Sequence, residues 1–146
     1  MKKIALISCT SKKNEASKYE PIKAGDLYTS DLFVKAWKYA KDVLKVDEIY
    51  ILSAKHHLLD PEMKINYYNE SLVGKSVRDV KAWSDIVKRQ MEQAGFDFNN
   101  DKFIILAGKN YHKYLIDSDF KNVVYPYAEC KGIGCILKYL NEQIEI

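Results

Sequence analysis

Four segments of the chain, residues 4–8, 48–53, 103–107 and 122–125, are rich in apolar and β-branched residues and show no alternation with polar ones. Continuous runs of this kind suit strands covered on both faces, as in a parallel sheet. Between them the apolar positions change to helical spacing. Ser30 is placed to cap a helix whose apolar positions are Leu32, Phe33, Ala36, Trp37, Ala40, Val43 and Leu44. Ser76, with Asp79 three residues on, opens a second that carries Val77, Val80, Trp83, Ile86, Val87 and Met91 and stops near Gly95. A short helical stretch follows Asn110, and a last helix is predicted over 132–141.

This alternation predicts an α/β fold in one domain: an open, parallel, four-stranded sheet of order 2-1-3-4, with right-handed crossovers and helices on both faces. Ligands bind such sheets beyond the carboxyl ends of the strands, where the strand order reverses. Two connections that leave this edge, residues 9–29 and 54–75, are each about 20 residues long, where about 2 to 6 is usual. They are expected to be binding loops or lids.

The same edge collects the candidate chemistry. The first strand runs into Ser8, Cys9, Thr10, Ser11, Lys12 and Lys13, the second into Ser53, Ala54, Lys55, His56 and His57, and the third into Gly108, Lys109, Asn110, Tyr111 and His112. After the fourth come Tyr127, Glu129, Cys130 and the sequence Lys131-Gly132-Ile133-Gly134 at the head of the last helix. Small residues let backbone N–H groups approach a ligand and lysines complement an anion, so Ser8, Thr10, Lys12, Lys13, Lys55, Lys109, Asn110, Lys131, Gly132 and Gly134 are candidates to bind phosphate or a nucleic-acid backbone. The glycine spacing matches neither a full dinucleotide fingerprint nor a phosphate-binding P-loop, and a tight turn before a helix accounts for it equally well.

Histidine titrates near neutrality, which makes His56 and His57 candidate acid–base groups. Asp60, Glu62 and Glu70 lie on the following connection, and Asp60 and Glu70 are the carboxylates expected to activate water or support a cationic sugar. Tyr28, Tyr68 and Tyr111 are candidates to stack on a base.

Composition narrows the setting without naming a partner. There are 23 Lys and Arg against 20 Asp and Glu, and a net charge of +3 is too small to indicate nucleic acid. Arg78 and Arg89 are the only arginines, so lysine supplies 21 of the basic side chains, and there are 11 tyrosines. The apolar run after Lys2 and Lys3 is too short for a signal peptide, and no stretch approaches the roughly 20 apolar residues of a membrane span. A cytoplasmic protein without membrane contact is expected. Cys9, Cys130 and Cys135 are too few and too unevenly spaced for a disulfide framework, fit small buried thiols in a reducing compartment, and make a zinc site only a remote option. No metal or cofactor is expected.

Four strings, IALISCTSKK at 4–13, DLYTSDLF at 26–33, ILSAKHHLLD at 51–60 and KGIGCIL at 131–137, resemble the YaaA-like, or DUF6884, family of small bacterial and phage domains. The resemblance covers nearly the whole chain and falls on Ser8, Cys9, Lys12, Lys13, Tyr28, Ser30, Ser53, Lys55, His56, Tyr68, Gly132 and Gly134. It departs at His57, where the pattern has Gly, at Tyr67, where it has Pro, and at Cys135, where it has Gln. The expected fold is flavodoxin-like or uracil-DNA-glycosylase-like, and the resemblance implies an architecture similar to uracil-DNA-glycosylase-like and nucleoside deoxyribosyltransferase-like domains and a link to nucleic acids and modified bases. It also singles out His56 among the histidines.

Together these readings predict an enzyme directed at a nucleotide or nucleic acid, DNA before RNA, that hydrolyses the N-glycosidic bond between base and sugar. The alternative is a non-catalytic DNA- or nucleotide-binding protein associated with stress.

Overall fold

Successive side chains of a strand point to opposite faces, so a strand of consecutive apolar residues needs cover on both. The computed structural model, which describes residues 1–145, meets that need. In chain order it contains β1 (Lys3–Ser8), a 3-10 turn (Glu15–Lys18), β2 (Ile22–Lys23), α1 (Ala24–Leu27) and α2 (Asp31–Lys38), which a π-helical turn (Tyr39–Val43) continues. Then follow β3 (Glu48–Ser53), β4 (His57–Leu59), β5 (Lys64–Ile65), α3 (Val77–Gln93), β6 (Lys102–Leu106), α4 (Lys109–His112), β7 (Val123–Val124) and α5 (Ile133–Ile144). Ile4, Ala5, Leu6 and Ile7 are all buried, as are Phe103, Ile104, Ile105 and Leu106.

The main sheet has five strands in the order β4-β3-β1-β6-β7. β1 pairs in parallel with β3 and β6, β6 pairs in parallel with β7, and β4 runs antiparallel to β3. The sheet is therefore mostly parallel, with one strand more than the four expected. The addition arises because the chain reverses after Ser53 and pairs Ser53 with His57, Leu52 with Leu58 and Ile51 with Leu59. His57 makes the reversal at a φ of 64°, a left-handed conformation that glycine adopts freely and histidine does not. This is a position where the resemblance anticipates glycine.

The helices follow their caps. Ser30 accepts a hydrogen bond from the Phe33 N–H and starts α2; Ser76 accepts from Asp79 N–H and starts α3. Along α3 the buried side chains Val80, Trp83, Val87 and Met91 keep a three- or four-residue spacing, and Gly95, at a φ of 80°, ends the helix in a left-handed turn. On α5 only Leu140 is buried, and Tyr139 meets Tyr39 at the end of α2, hydroxyl to hydroxyl at 2.8 Å.

The two long connections are not independent lids. β2 from the first pairs antiparallel with β5 from the second, joining Ile22 to Ile65 and Lys23 to Lys64. Around that pair, Ala24 N–H donates to the Met63 carbonyl, Gly25 N–H to Pro61 and Tyr67 N–H to Ser17. Two segments that read as loops thus satisfy each other's backbone groups, which is how so much irregular chain becomes ordered.

The conformation of His57 gives the first prediction. His57→Gly is expected to keep or raise stability by up to about 1 kcal/mol, whereas His57→Val, β-branched in a left-handed turn, is expected to lose about 1–3 kcal/mol. Urea unfolding of the two variants beside the parent chain checks the ordering.

Candidate functional site

Beyond the carboxyl ends of β3 and β1 lies a buried polar knot centred on Ser53, which is fully buried. Its Oγ accepts the N–H of His56 at 3.0 Å and is hydrogen-bonded to the Tyr68 hydroxyl at 2.8 Å. Its carbonyl accepts the Trp83 indole N–H at 2.9 Å. Tyr68 is hydrogen-bonded in turn to the Tyr28 hydroxyl. One serine therefore holds the turn carrying both histidines, the second long connection through Tyr68, the first through Tyr28, and α3 through Trp83. Burial pushes the Tyr28 and Tyr68 hydroxyls far above the ordinary tyrosine range, so both stay protonated.

Lys13 closes the knot. Only 6% exposed, it sets its Nζ 4.5 Å from the centre of the Tyr68 ring, 5.7 Å from Tyr67 and 5.9 Å from Tyr28. Its hydrogen bond goes to the Ser11 carbonyl at 3.3 Å. Burial lowers its pKa, with Cys9 acting in the opposite sense. The expected roles of Lys13 as a phosphate ligand and of Tyr28 and Tyr68 as base-stacking rings meet this burial: in this structure the three side chains face one another. Tyr111, also buried, is hydrogen-bonded to Cys9 Sγ at 3.3 Å and meets the Trp83 ring edge to face at 5.6 Å.

His56 and His57 stand at the rim of the knot, both half-buried. The His56 ring meets Tyr68 edge to face at 5.3 Å, and His57 stacks on Trp83 at 6.5 Å. Burial lowers both pKa values below the ordinary 6.5; Lys55 and His57 reinforce this at His56, and Glu70 opposes it at both. Glu70 is thus an electrostatic neighbour of the histidines. Asp60 is not brought to this edge. β4 folds back along β3, which carries Asp60 past Leu59, the partner of Ile51, and there it caps a turn by accepting the Glu62 N–H. Glu62 pairs with Lys23 at 3.0 Å.

A second feature lies beyond β6. A cavity of about 690 Å³ is lined by Ile105, Ala107, Gly108, Lys109, His112, Tyr125, Tyr127, Ala128, Cys130, Lys131, Gly132, Ile133 and Ile136. No carboxylate contributes to this lining. Burial, reinforced by Lys109, holds His112 below 6.5, and its ring lies 5.1 Å from that of Tyr125. The four-residue α4 joins the two features, since Tyr111 faces the knot while Lys109 and His112 line the cavity.

The predicted phosphate ligands divide accordingly. Lys109, Lys131 and Gly132 surround the cavity, with Asn110 and Gly134 exposed beside them. Lys12 and Lys55 are exposed outside the cavity lining, Ser8 is paired within the sheet, and Thr10 Oγ1 accepts from the Ser30 hydroxyl at the head of α2. Among the described residues, Lys12, Lys55, Lys109 and Lys131 have no carboxylate within salt-bridge distance, unlike Lys2, Lys18, Lys23 and Lys88. Glu129 is exposed on the turn beside the cavity. Of the cavity residues, His112 and Tyr127 were expected at this edge without an assigned role, and Tyr125 was not singled out by the sequence.

The cysteines correct one expectation. Cys130 and Cys135 form a disulfide, the turn into α5 having brought their Cα atoms to 5.4 Å, within bonding range. Cys9 alone is a buried free thiol. Among the described residues no cluster of three or more His, Cys, Asp or Glu is placed to hold a metal, and no helix is long and apolar enough to cross a membrane.

Tyr68→Phe is expected to cost about 1–3 kcal/mol, because it removes a partner from the buried hydroxyls of Ser53 and Tyr28; chemical denaturation measures it. All three histidines have folded-state pKa values below 6.5. As pH falls through 6.5 the unfolded chain binds protons that the folded chain does not, so stability is fully present above that value and declines below it. A falling melting temperature between about pH 7 and pH 5 is the expected result, with a shallower slope in His112→Gln.

The chain matches the model of a family of unknown function, DUF6884, over residues 4–142. It is also similar to the uncharacterized protein YfjM of Bacillus subtilis (strain 168), with 30% identity over 149 residues that cover 99% of this chain and 97% of that protein. On the match of its family model, which spans nearly the whole sequence, the chain belongs to the DUF6884 family.

Proposed function

We propose that this protein acts on a nucleotide or nucleic acid and hydrolyses the N-glycosidic bond between base and sugar. The observation that carries the reading is the placement of His56 at the carboxyl edge of the sheet, with Glu70 acting on it electrostatically and unpaired lysines on the same edge. In such a reaction the C1′–N bond breaks and its electron pair leaves with the base, while a water oxygen bonds to C1′. Glu70 supports the cationic sugar and takes a proton from the water. His56, neutral at pH 7, donates a hydrogen bond to the departing base, which collects its proton from solvent. The hydrogen bond from the His56 N–H to Ser53 Oγ fixes the imidazole's backbone on the rigid sheet.

A second reading, a module that binds nucleotides or DNA without reaction, is favoured by one feature: the cavity lining holds lysines and aromatic rings and no carboxylate. The two readings part on a single assay. Parent protein is incubated with pools of mononucleotides and of normal and modified DNA, and free base is measured by mass spectrometry. The hydrolase releases base, and His56→Ala or Glu70→Gln lowers release by about a hundredfold or more while binding persists. No release from any pool, together with binding that weakens steeply with salt, overturns the hydrolase and leaves the module.

A further inference from the structure

The cavity beyond β6 exists because β7 stops after two residues, and the reason can be read from the ladder. Phe103 N–H donates to the Asn122 carbonyl at 2.9 Å, and Phe103 is paired with Val123. In a parallel ladder the odd-numbered residues of β6 then direct both backbone groups toward β7. The next rung would require residue 126 to donate to the Ile105 carbonyl. Residue 126 is proline, which has no N–H, and the ladder ends. Ala107, two residues further along the same edge, is 4% exposed, lines the cavity, and has no hydrogen-bond acceptor for its N–H among the described residues. Buried backbone donors are almost always paired, so this edge is one that a ligand would complete.

The surrounding lining gives the ligand's chemistry. The open edge offers a carbonyl and an N–H two residues apart, as a planar heterocycle with both a donor and an acceptor requires. His112 and Tyr125 present rings beside it, and Ile133 and Ile136 supply apolar wall. Lys109 and Lys131, both unpaired, bring two positive charges, which match the charge of roughly −2 on a phosphate monoester better than the single charge of a diester in a strand. The volume of about 690 Å³ is that of a small-molecule site.

We propose that the open edge of β6 binds a phosphate monoester carrying a planar heterocycle, a free mononucleotide, with the ring at the Ile105–Ala107 edge and the phosphate at Lys109 and Lys131. The identification of the ring as a nucleobase rests on the nucleotide-directed reading above and narrows it from nucleic acid to the free nucleotide.

The test is calorimetric titration of the full chain with the four ribonucleoside 5′-monophosphates, the matching nucleosides, inorganic phosphate, and a single-stranded oligonucleotide with hydroxyl ends. At least one monophosphate is expected to bind about tenfold or more tighter than its nucleoside, inorganic phosphate or the oligonucleotide, and Lys109→Ala and Lys131→Ala each weaken it about fivefold or more. Lys121→Ala, remote from the cavity, leaves it unchanged. In amide NMR spectra the Ala107 and Gly108 resonances shift on binding. Tighter binding of the oligonucleotide, indifference to both lysine substitutions, or a shift pattern that spares Ala107 and Gly108 overturns the proposal. Monophosphate binding without base release leaves this site standing and removes the hydrolase; base release from DNA without monophosphate binding does the reverse.

Discussion

A buried hydroxyl at the end of one strand organises the functional edge. Ser53 lies where β3 meets the sheet's carboxyl edge, and its two oxygens receive hydrogen bonds from the backbone of the histidine turn and the indole of α3, while the loop tyrosine Tyr68 shares the hydroxyl. A buried polar atom without partners is costly, so these contacts are obligatory rather than optional. Each partner arrives from a different part of the chain, and satisfying the two oxygens of one residue therefore fixes these segments relative to one another. Lys13 extends the same logic with charge: three tyrosine faces replace the water that its ammonium gives up on burial.

The other half of the edge is governed by an absence of pairing. β1 has paired neighbours on both sides, whereas β6 has a neighbour for only two residues on its β7 side. Proline at 126 both ends β7 and starts the turn that walls the cavity, and the disulfide between Cys130 and Cys135 closes that turn against the first residues of α5. The short helix α4 contributes to both features, with Tyr111 bonded to Cys9 in the knot and Lys109 and His112 lining the cavity.

Much of the fold was legible because it rests on local rules. Ser30 and Ser76 cap the helices they were expected to cap, and the apolar spacing of α3 buries Val80, Trp83, Val87 and Met91. The strands announced themselves by uninterrupted apolar runs. What escaped were the elements made by non-local pairing. β2 and β5 are two residues each, too short for any periodicity, and exist only because Ile22 meets Ile65. β4 was hidden by a turn that runs through a histidine in a conformation normally reserved for glycine. Asp60 was displaced for the same reason, since the antiparallel return of β4 carries Leu58, Leu59 and Asp60 away from the edge before the chain comes back to it at Tyr68. The tyrosines illustrate a different limit: Tyr28, Tyr68 and Tyr111 are of the right type and in the right region to stack on a base, but a phenol satisfies a buried hydrogen bond equally well.

The sequence by itself determined the alternation of strands and helices, the caps, and the collection of lysines and histidines after strand ends, because each follows from periodicity or from the immediate neighbours of a residue. Only the tertiary structure decided which of those side chains face one another. Lys12 and Lys13 are adjacent in the chain, yet one is exposed and the other is enclosed by Tyr28 from the first connection and Tyr67 and Tyr68 from the second. Lys109 and Lys131 are 22 positions apart and border the same cavity. Burial and pairing depend on what arrives from elsewhere in the chain, and the free energy of a charge or a polar atom is set by that environment rather than by its place in the sequence.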